Sequence, residues 1–180
     1  MKVGKKPIFI VLAVIGFIAA MQTAKVATGP AIWLNLSSSE PLGLYRMVPR
    51  NKAVRRGEIV VMECPKGYET YLYGRKWLPH GWPLFKTVGA TSGDTYCVTD
   101  NILSINGTPI GPVFSSDSKG LPLPAVRGCR TVPKGRFLPI ATGLENSFDG
   151  RYFGDVHESL VIGTAKPLLT YHRQSDRGGE

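Results

Sequence analysis

Three consecutive serines stand just before a proline and a glycine in the segment NLSSSEPLGLYR, residues 35–46. A serine hydroxyl becomes a nucleophile when a neighbouring base takes its proton. Serine, proline and glycine also mark ordinary turns, and most such clusters do only that. The segment therefore leaves two interpretations open, a turn or a nucleophile. The rest of the chain decides between them by whether it offers a base.

Conventional partners for a serine nucleophile are absent from the sequence. The three histidines, His80, His157 and His172, belong to no Ser-His-Asp or Cys-His pattern. The sequence also has no GxSxG, HExxH or P-loop motif. A serine hydrolase built on this chain needs a base other than histidine.

Lys86 is the best candidate for that base. It is the only charged residue in GWPLFKTVGAT, residues 81–91. Burial among apolar side chains disfavours the ammonium form and lowers a lysine pKa, and the neutral amine can then take a serine proton. The remaining lysines after the N-terminal segment lie beside Gly, Pro, Arg or polar residues in predicted turns. The alternative is that Lys86 is an ordinary strand residue whose amine reaches solvent.

Short strands are predicted to position these residues. The chain has 21 glycines and 14 prolines, which favours many short strands over long helices. Apolar runs bounded by such residues predict strands at 58–64, 83–90, 137–142 and 160–165, and a hairpin over 94–106 that turns at Asp100-Asn101. A loop is predicted at 111–124. The aromatic and basic segment 65–82 is predicted to form an insertion or a flap, and residues 171–180 a frayed polar tail.

The N-terminal segment predicts a membrane anchor. Residues 7–24 carry no charge, and as a helix they span about 27 Å, close to the thickness of a bilayer core. A cleavable secretory signal is the alternative, but no clear A-x-A site follows. Because Lys2, Lys5 and Lys6 precede the segment, the rest of the chain is expected outside the cytoplasm. The predicted organisation is a basic end and anchor at 1–25, an extracytoplasmic domain at 26–170 and a tail at 171–180.

Charge and cysteine content restrict the partners. The net charge is +9, but the cations are dispersed and form no basic stripe with interleaved aromatics, so nucleic acid is not a predicted partner. The three cysteines match no zinc pattern, and we predict no metal or other cofactor. At most one intramolecular disulfide can form, and if one exists Cys97–Cys129 is the expected pair. The alternative is three small buried thiols that include Cys64.

Three motifs in order behind the apolar segment resemble the Ser/Lys signal peptidases, and among them the TraF-type peptidases of conjugative transfer. The motifs are NLSSSEPLGLYR (35–46), FKTVGATSGD (85–94) and NSFDGRYFG (146–154). The resemblance covers most of the chain. It implies a mainly β fold, a signal-peptidase or LexA-like antiparallel β domain on one N-terminal transmembrane helix.

The resemblance also assigns roles to the first two motifs. Ser39, one residue before the proline of the TraF-like pattern, is the implied nucleophile, and Lys86 is the implied general base. Ordinary signal peptidases have two residues between serine and proline, and that spacing would select Ser38 instead. The Ser39 backbone N–H is the expected oxyanion donor, aided by the Ser37 hydroxyl.

The third motif supplies Asp149, which the resemblance places among the catalytic residues as a support for the site. Asp149 and Arg151 are expected to form an ion pair under the site, and Arg151 is grouped with Ser37 among the oxyanion and substrate residues. The alternative for this pair is an ordinary loop salt bridge. The motif departs from ordinary signal peptidases at Gly150, where they carry a serine, so the orientation of Lys86 is left open.

The implied function is a serine endopeptidase at the inner membrane, with its catalytic domain in the periplasm. Its implied partners are the membrane and a pilin precursor, or another exported protein, that is cut and in some family members cyclised. A general type I signal peptidase and a non-catalytic anchored β protein of a pilus or secretion apparatus are the alternatives. A LexA-like repressor is disfavoured because an apolar segment stands where a DNA-binding helix-turn-helix is expected.

Overall fold

Antiparallel strands dominate the computed structural model, which describes residues 32–37, 39–50 and 52–171. The predicted anchor at 1–25, Ser38 and the last nine residues of the predicted tail lie outside the described residues. In the part of the chain that is described, no helix combines the length and the apolar character needed to cross a membrane.

The described chain forms eleven strands. In chain order they are β1 (Ile32–Asn35), β2 (Leu42–Pro49), β3 (Ile59–Met62), β4 (Leu84–Thr91), β5 (Thr95–Thr99), β6 (Ile102–Ile105), β7 (Thr108–Pro112), β8 (Gly128–Thr131), β9 (Arg136–Ile140), β10 (Val156–His157) and β11 (Val161–Tyr171). Seven of them form a sheet in the order β1-β2-β11-β3-β4-β9-β10, and four form a second sheet in the order β7-β6-β5-β8. All pairings are antiparallel. The predicted mainly β, antiparallel fold is confirmed.

Strand β4 lies inside the larger sheet, between β3 and β9, and apolar cores cover both of its faces. Leu84 and Val88 join the larger core, whereas Phe85 packs with Tyr45 and Val61 on the opposite face. Because side chains alternate along a strand, Lys86 points to the same side as Leu84 and Val88. The Lys86 side chain therefore lies on the side of β4 that packs against the larger core.

The smaller sheet contains the predicted hairpin. Strands β5 and β6 are joined by Asp100 and Asn101, which have φ angles of 51° and 59° and therefore form the left-handed turn that suits tightly connected strands. Cys97 of β5 lies opposite Cys129 of β8, and the two form a disulfide. The expected pairing is confirmed, and Cys64 is a free, half-buried thiol.

The aromatic segment 65–82 folds back on the domain. It contains a short helical turn at Thr70–Gly74, and Tyr71 and Trp77 pack against Phe148 in the third motif. Arg75 stacks over the Tyr71 ring at 4.7 Å and donates a hydrogen bond to the Asp117 carboxylate at 2.7 Å. The predicted insertion is therefore tied both to the third motif and to the 111–124 loop.

Candidate active site

Lys86 and two serines from distant parts of the chain meet at one point. The Lys86 Nζ atom lies 3.0 Å from Ser39 Oγ and 2.6 Å from Ser147 Oγ. The two serine oxygens are 2.9 Å apart. Only 2% of Lys86 is exposed, so the alternative of an amine that reaches solvent is wrong. The three polar atoms form a closed triangle in which each group contacts the other two.

The turn that carries Ser39 is shaped by Asn35, the last residue of β1. Its buried amide group donates to the carbonyl oxygens of Ser37, Glu40 and Pro41 at 3.1–3.2 Å. Its amide oxygen accepts hydrogen bonds from both the backbone N–H and the hydroxyl of Ser37. One side chain therefore satisfies much of the backbone of the loop between β1 and β2.

Glycine is required where this loop enters β2. Gly43 has a φ angle of 144°, and a Cβ atom there would lie 2.1 Å from the carbonyl oxygen of Leu169 in β11. No side chain fits between two paired strands at that distance. The glycine of the first motif is thus needed to seat the Ser39 turn against the sheet.

A buried carboxylate follows Ser39 directly. Glu40 is 1% exposed, and its two oxygens accept hydrogen bonds from the Thr87 hydroxyl at 2.9 Å and the Thr142 hydroxyl at 3.1 Å. Burial raises the pKa of Glu40, and the two threonine hydroxyls and the Lys86 charge oppose that rise. Sequence reasoning missed Glu40 as part of the site.

Asp149 and Arg151 are buried, and their charges act on the Lys86 amine. Asp149 is fully buried and caps a short helix, α1 (Gly150–Phe153), by accepting a hydrogen bond from the Arg151 backbone N–H at 3.1 Å. Its second oxygen accepts one from the Ala141 N–H at 2.8 Å. Burial raises the pKa of Asp149, and the Lys86 and Arg151 charges act in the opposite direction.

The Arg151 side chain is directed into the protein. Its Nε atom is 3.8 Å from the Asp149 carboxylate, and its guanidinium donates to the backbone carbonyls of Glu145 and Ala141. Both partners are buried, so this ion pair is not a solvent-exposed salt bridge. The Arg151 side chain is not among those that line the cleft described below, and its grouping with the substrate residues stays a prediction.

The departure at Gly150 has a steric reason. A Cβ atom at this position would lie 2.6 Å from the backbone oxygen of Pro139, so the serine of ordinary signal peptidases does not fit here. In this chain, the Ser147 hydroxyl contacts Lys86 at 2.6 Å. The orientation of Lys86, which the sequence left open, is fixed by this contact.

The electrostatic environment of Lys86 favours a partly neutral amine. Burial is the main cause that lowers its pKa from 10.5 to about 8. The carboxylates of Asp149 and Glu40 raise it, and the Arg151 guanidinium lowers it further. An amine with a pKa near 8 that touches a serine hydroxyl is suited to accept that hydroxyl's proton.

Most of the chain matches a known protein family. The family described as signal peptidase, peptidase S26, matches residues 5–169. The chain belongs to this family. The resemblance to the signal peptidases that the three motifs indicate is therefore confirmed.

Relatives of this S26 chain include proteins of conjugation systems. The conjugal transfer protein TraF of Agrobacterium fabrum is 33% identical over 93% of this chain and 98% of its own length. The plasmid transfer protein TraF of Escherichia coli is 32% identical over 87% of this chain and 93% of its own length. A signal peptidase I from Enterococcus faecalis, known from a crystal structure, is 23% identical over 63% of this chain and 97% of its own, with a TM-score of 0.39.

The triangle of the S26 chain opens onto a large cleft. This cleft has a volume of about 1070 Å³, and Ser37, Ser39, Lys86 and Ser147 lie on its wall. Most of the remaining wall is apolar. Its side chains come from β1 and the residue after it, the aromatic segment, the 111–124 loop and the loop after β9, and they include Trp33, Leu36, Trp77, Trp82, Phe114 and Leu144. A polypeptide in the cleft would contact both the triangle and an apolar surface.

The sequence-predicted residues are thus brought together only in part. Ser39 and Lys86 are in contact, and Ser37 lies on the same wall with its hydroxyl bonded to Asn35 at 2.8 Å. Asp149 is buried nearby, and Ser38 lies outside the described residues. Among the residues that are described, no group of three or more His, Cys, Asp or Glu side chains is placed to hold a metal ion.

Three members of the site were missed from the sequence. Ser147 belongs to the third motif, but the motif assigned it no role of its own, and Asn35 and Glu40 look like ordinary turn residues. The only local indication for Asn35 is its residue type, because Asn side chains commonly bond nearby backbone groups in turns. Glu40 has partners far along the chain, so no local pattern identifies it.

Proposed function

We propose that this S26 chain is a membrane-anchored serine endopeptidase in which Ser39 is the nucleophile and Lys86 the general base. The observation that carries the proposal is the 3.0 Å contact between the buried Lys86 amine and the Ser39 hydroxyl on the wall of an apolar cleft. Membership of a peptidase family supports the same chemistry. A buried amine next to a serine needs no histidine to complete a nucleophile and base pair.

The first half of the reaction is acylation. Neutral Lys86 accepts the Ser39 proton while Ser39 Oγ attacks the scissile carbonyl carbon, and the carbonyl oxygen becomes an oxyanion. The Ser39 N–H and the Ser37 hydroxyl donate to that oxyanion, and Ser37 must exchange its bond to Asn35 for this one. The Lys86 ammonium then protonates the leaving amine as the carbon–nitrogen bond breaks. Ser147 holds the Lys86 amine throughout.

The second half of the reaction resolves the acyl-enzyme. Water attacks the ester carbon, Lys86 takes a proton from it, and Ser39 leaves with that proton restored. An amine of the same polypeptide can attack in place of water and produce a cyclic product. Asp149, buried beside the dyad, supports the ammonium form of Lys86 during both halves.

The proposed substrate is a conjugative pilin precursor, or another exported protein, processed during plasmid transfer. This is supported by relatives named as conjugal and plasmid transfer proteins that match over most of their length. The proposed location is the inner membrane with the catalytic domain in the periplasm. The Cys97–Cys129 disulfide supports an oxidising compartment.

A general type I signal peptidase is the second candidate. A signal peptidase I of Bacillus subtilis is 29% identical over 90 residues, which is 44% of this chain. This candidate shares the dyad and differs in its substrate. A third possibility, an anchored β protein without catalysis, predicts no cleavage of any substrate.

Mass spectrometry of pilin precursors tests the function. The full-length chain in detergent is incubated with a precursor from its own conjugation system and, separately, with an ordinary secretory precursor. We expect cleavage of the pilin precursor, with the additional loss of one water if the product is cyclic. Preferential cleavage of the secretory precursor would identify a general signal peptidase, and two unchanged masses would contradict a peptidase role.

The rate of cleavage is expected to rise with pH. Only the neutral amine of Lys86 accepts a proton, and its pKa is lowered to about 8 by burial. Below that pKa, kcat/KM should therefore increase about tenfold per pH unit and then level off above it. Steady-state cleavage of a peptide substrate between about pH 6 and 10 measures the profile. A profile without this acid limb would exclude Lys86 as the base.

A further inference from the structure

We propose that Glu40 is a positioning residue that fixes Ser39 against Lys86 and stabilises the ammonium that forms when Lys86 accepts a proton. This inference rests on the proposed Ser39 and Lys86 chemistry and adds a residue to it. Glu40 follows the nucleophile directly in the chain, yet it is almost completely buried. An ionisable side chain in such a place needs specific partners to offset its loss of solvent.

The hydrogen bonds of Glu40 connect the segments that build the site. One carboxylate oxygen accepts from the hydroxyl of Thr87, the residue after Lys86 in β4. The other accepts from the hydroxyl of Thr142, whose neighbour Ala141 donates to Asp149. The carboxylate therefore joins the Ser39 turn to the strand of the base and to the loop that holds Asp149.

The backbone around Glu40 is held from the opposite side. The Asn35 amide donates to the Glu40 carbonyl at 3.2 Å, and the buried Tyr45 hydroxyl donates to the Pro41 carbonyl at 2.7 Å. The Gly143 N–H donates to the Ser39 carbonyl at 3.3 Å. Hydrogen bonds thus hold both the side chain and the backbone of Glu40. They restrict the position of Glu40 and, through the chain, the position of Ser39.

The charges around Lys86 give Glu40 a second effect. The charged groups that act on the Lys86 amine are Asp149, Glu40 and Arg151, and those that act on Glu40 include Lys86, with the neutral Tyr45 phenol nearby. Burial opposes ionisation of Glu40 and Asp149, but both oxygens of each side chain accept hydrogen bonds, which favours the carboxylate form. With Lys86 neutral and both acids ionised, the buried groups are two carboxylates and one cation. Proton transfer from Ser39 makes Lys86 the second cation, so that two positive charges face the two carboxylates. Glu40 therefore favours the state that forms during attack.

Replacement of Glu40 by glutamine tests this effect on the full-length chain. Glutamine has the same shape, and the hydroxyls of Thr87 and Thr142 can turn to bond its amide, so the change removes mainly charge. Without that charge the Lys86 amine holds its proton less strongly. We expect the acid limb of the kcat/KM profile to move to lower pH by roughly one unit. The plateau should fall about tenfold, because a weaker base is a poorer proton acceptor.

A titration of the Lys86 amine gives a readout that needs no substrate. In a chain carrying ¹³C-labelled lysine, NMR follows the Lys86 εCH₂ signal with pH, and a Lys86→Met sample assigns it. The midpoint in Glu40→Gln should be lower by the same amount as the kinetic limb. Glu63→Gln, the same change at an exposed position, is the matched control and should leave both readouts at the wild-type value.

The outcomes separate this inference from the proposed function. If the wild-type chain and Lys86→Met cleave equally well, the proposed function fails whatever Glu40 does. If wild-type cleavage depends on Ser39 and Lys86 but Glu40→Gln leaves the profile and the NMR midpoint unchanged, only the role of Glu40 is overturned. Should Glu40→Gln not fold, Thr87→Val removes one donor to Glu40 in a similar volume and leaves the Glu40 charge in place. The plateau of kcat/KM should then fall several-fold while the NMR midpoint of Lys86 stays near the wild-type value, and an unchanged plateau would overturn the positioning role of Glu40.

Discussion

Lys86→Met is expected to lower kcat for precursor cleavage by about 10⁴-fold or more, as loss of a nucleophile or its base does in serine hydrolases. Without the amine, no group is positioned to take the Ser39 proton, since Ser147 is the other side chain in contact with the Ser39 hydroxyl and is itself a weak base. Ser39→Ala should cause a loss of the same size. The double variant should be no worse than either single one, because the two residues act as a unit.

The chain should remain folded when Lys86 is replaced. Methionine fills a similar unbranched volume in the larger core, and the Ser39 and Ser147 hydroxyls, 2.9 Å apart, can still bond each other. Thermal unfolding followed by circular dichroism measures this, and single-turnover cleavage measures the loss. Lys134→Met, at an exposed position, is the matched control and should cleave like the wild type. Near-normal cleavage by folded Lys86→Met would end the dyad hypothesis.

The residues predicted from the sequence are those with a local signature. Lys86 stands out because it is the single charge in an apolar run that predicts a strand. Ser39 was selected through the spacing of the first motif. The place of Ser147 in the site depends on its contact with Ser39, which is 108 residues away in the sequence. The place of Glu40 depends on its contact with Thr142, which is 102 residues away. Such contacts follow from how the strands pair, which local composition does not reveal.

The same distinction applies to the strands. The hairpin of β5 and β6 was predicted because its turn and its apolar residues are adjacent in sequence. Strand β8 was not predicted, since all four of its residues are exposed and it is a strand only through its pairing with β5. Strand β11 continues to Tyr171, the first residue of the predicted polar tail, because β2 pairs with it as far as Leu42. Register with a distant strand decides where such an element ends.

Asp149→Asn is expected to weaken both the fold and the reaction. The two Asp149 oxygens accept hydrogen bonds from the backbone N–H groups of Ala141 and Arg151, and asparagine offers only one oxygen. One buried N–H would then face the NH₂ group, and the buried Arg151 guanidinium would lose its counter-charge. The free energy of unfolding should fall by about 3–5 kcal/mol, as when one partner of a buried ion pair is removed. Urea denaturation measures this loss.

The loss of cleavage in Asp149→Asn should exceed what reduced stability explains. Asp149 is the largest influence that raises the pKa of Lys86 against the effect of burial, so its neutralisation lowers that pKa. Under conditions where the variant is still folded, the acid limb of kcat/KM should shift to lower pH and the plateau should fall about 10²-fold or more. Asp100→Asn, the same change in the exposed turn of β5 and β6, should leave the profile and the unfolding midpoint unaltered. A folded Asp149→Asn chain with the wild-type profile would show that Asp149 only closes the loop around α1. The base would then be tuned by burial, Glu40 and Arg151 alone.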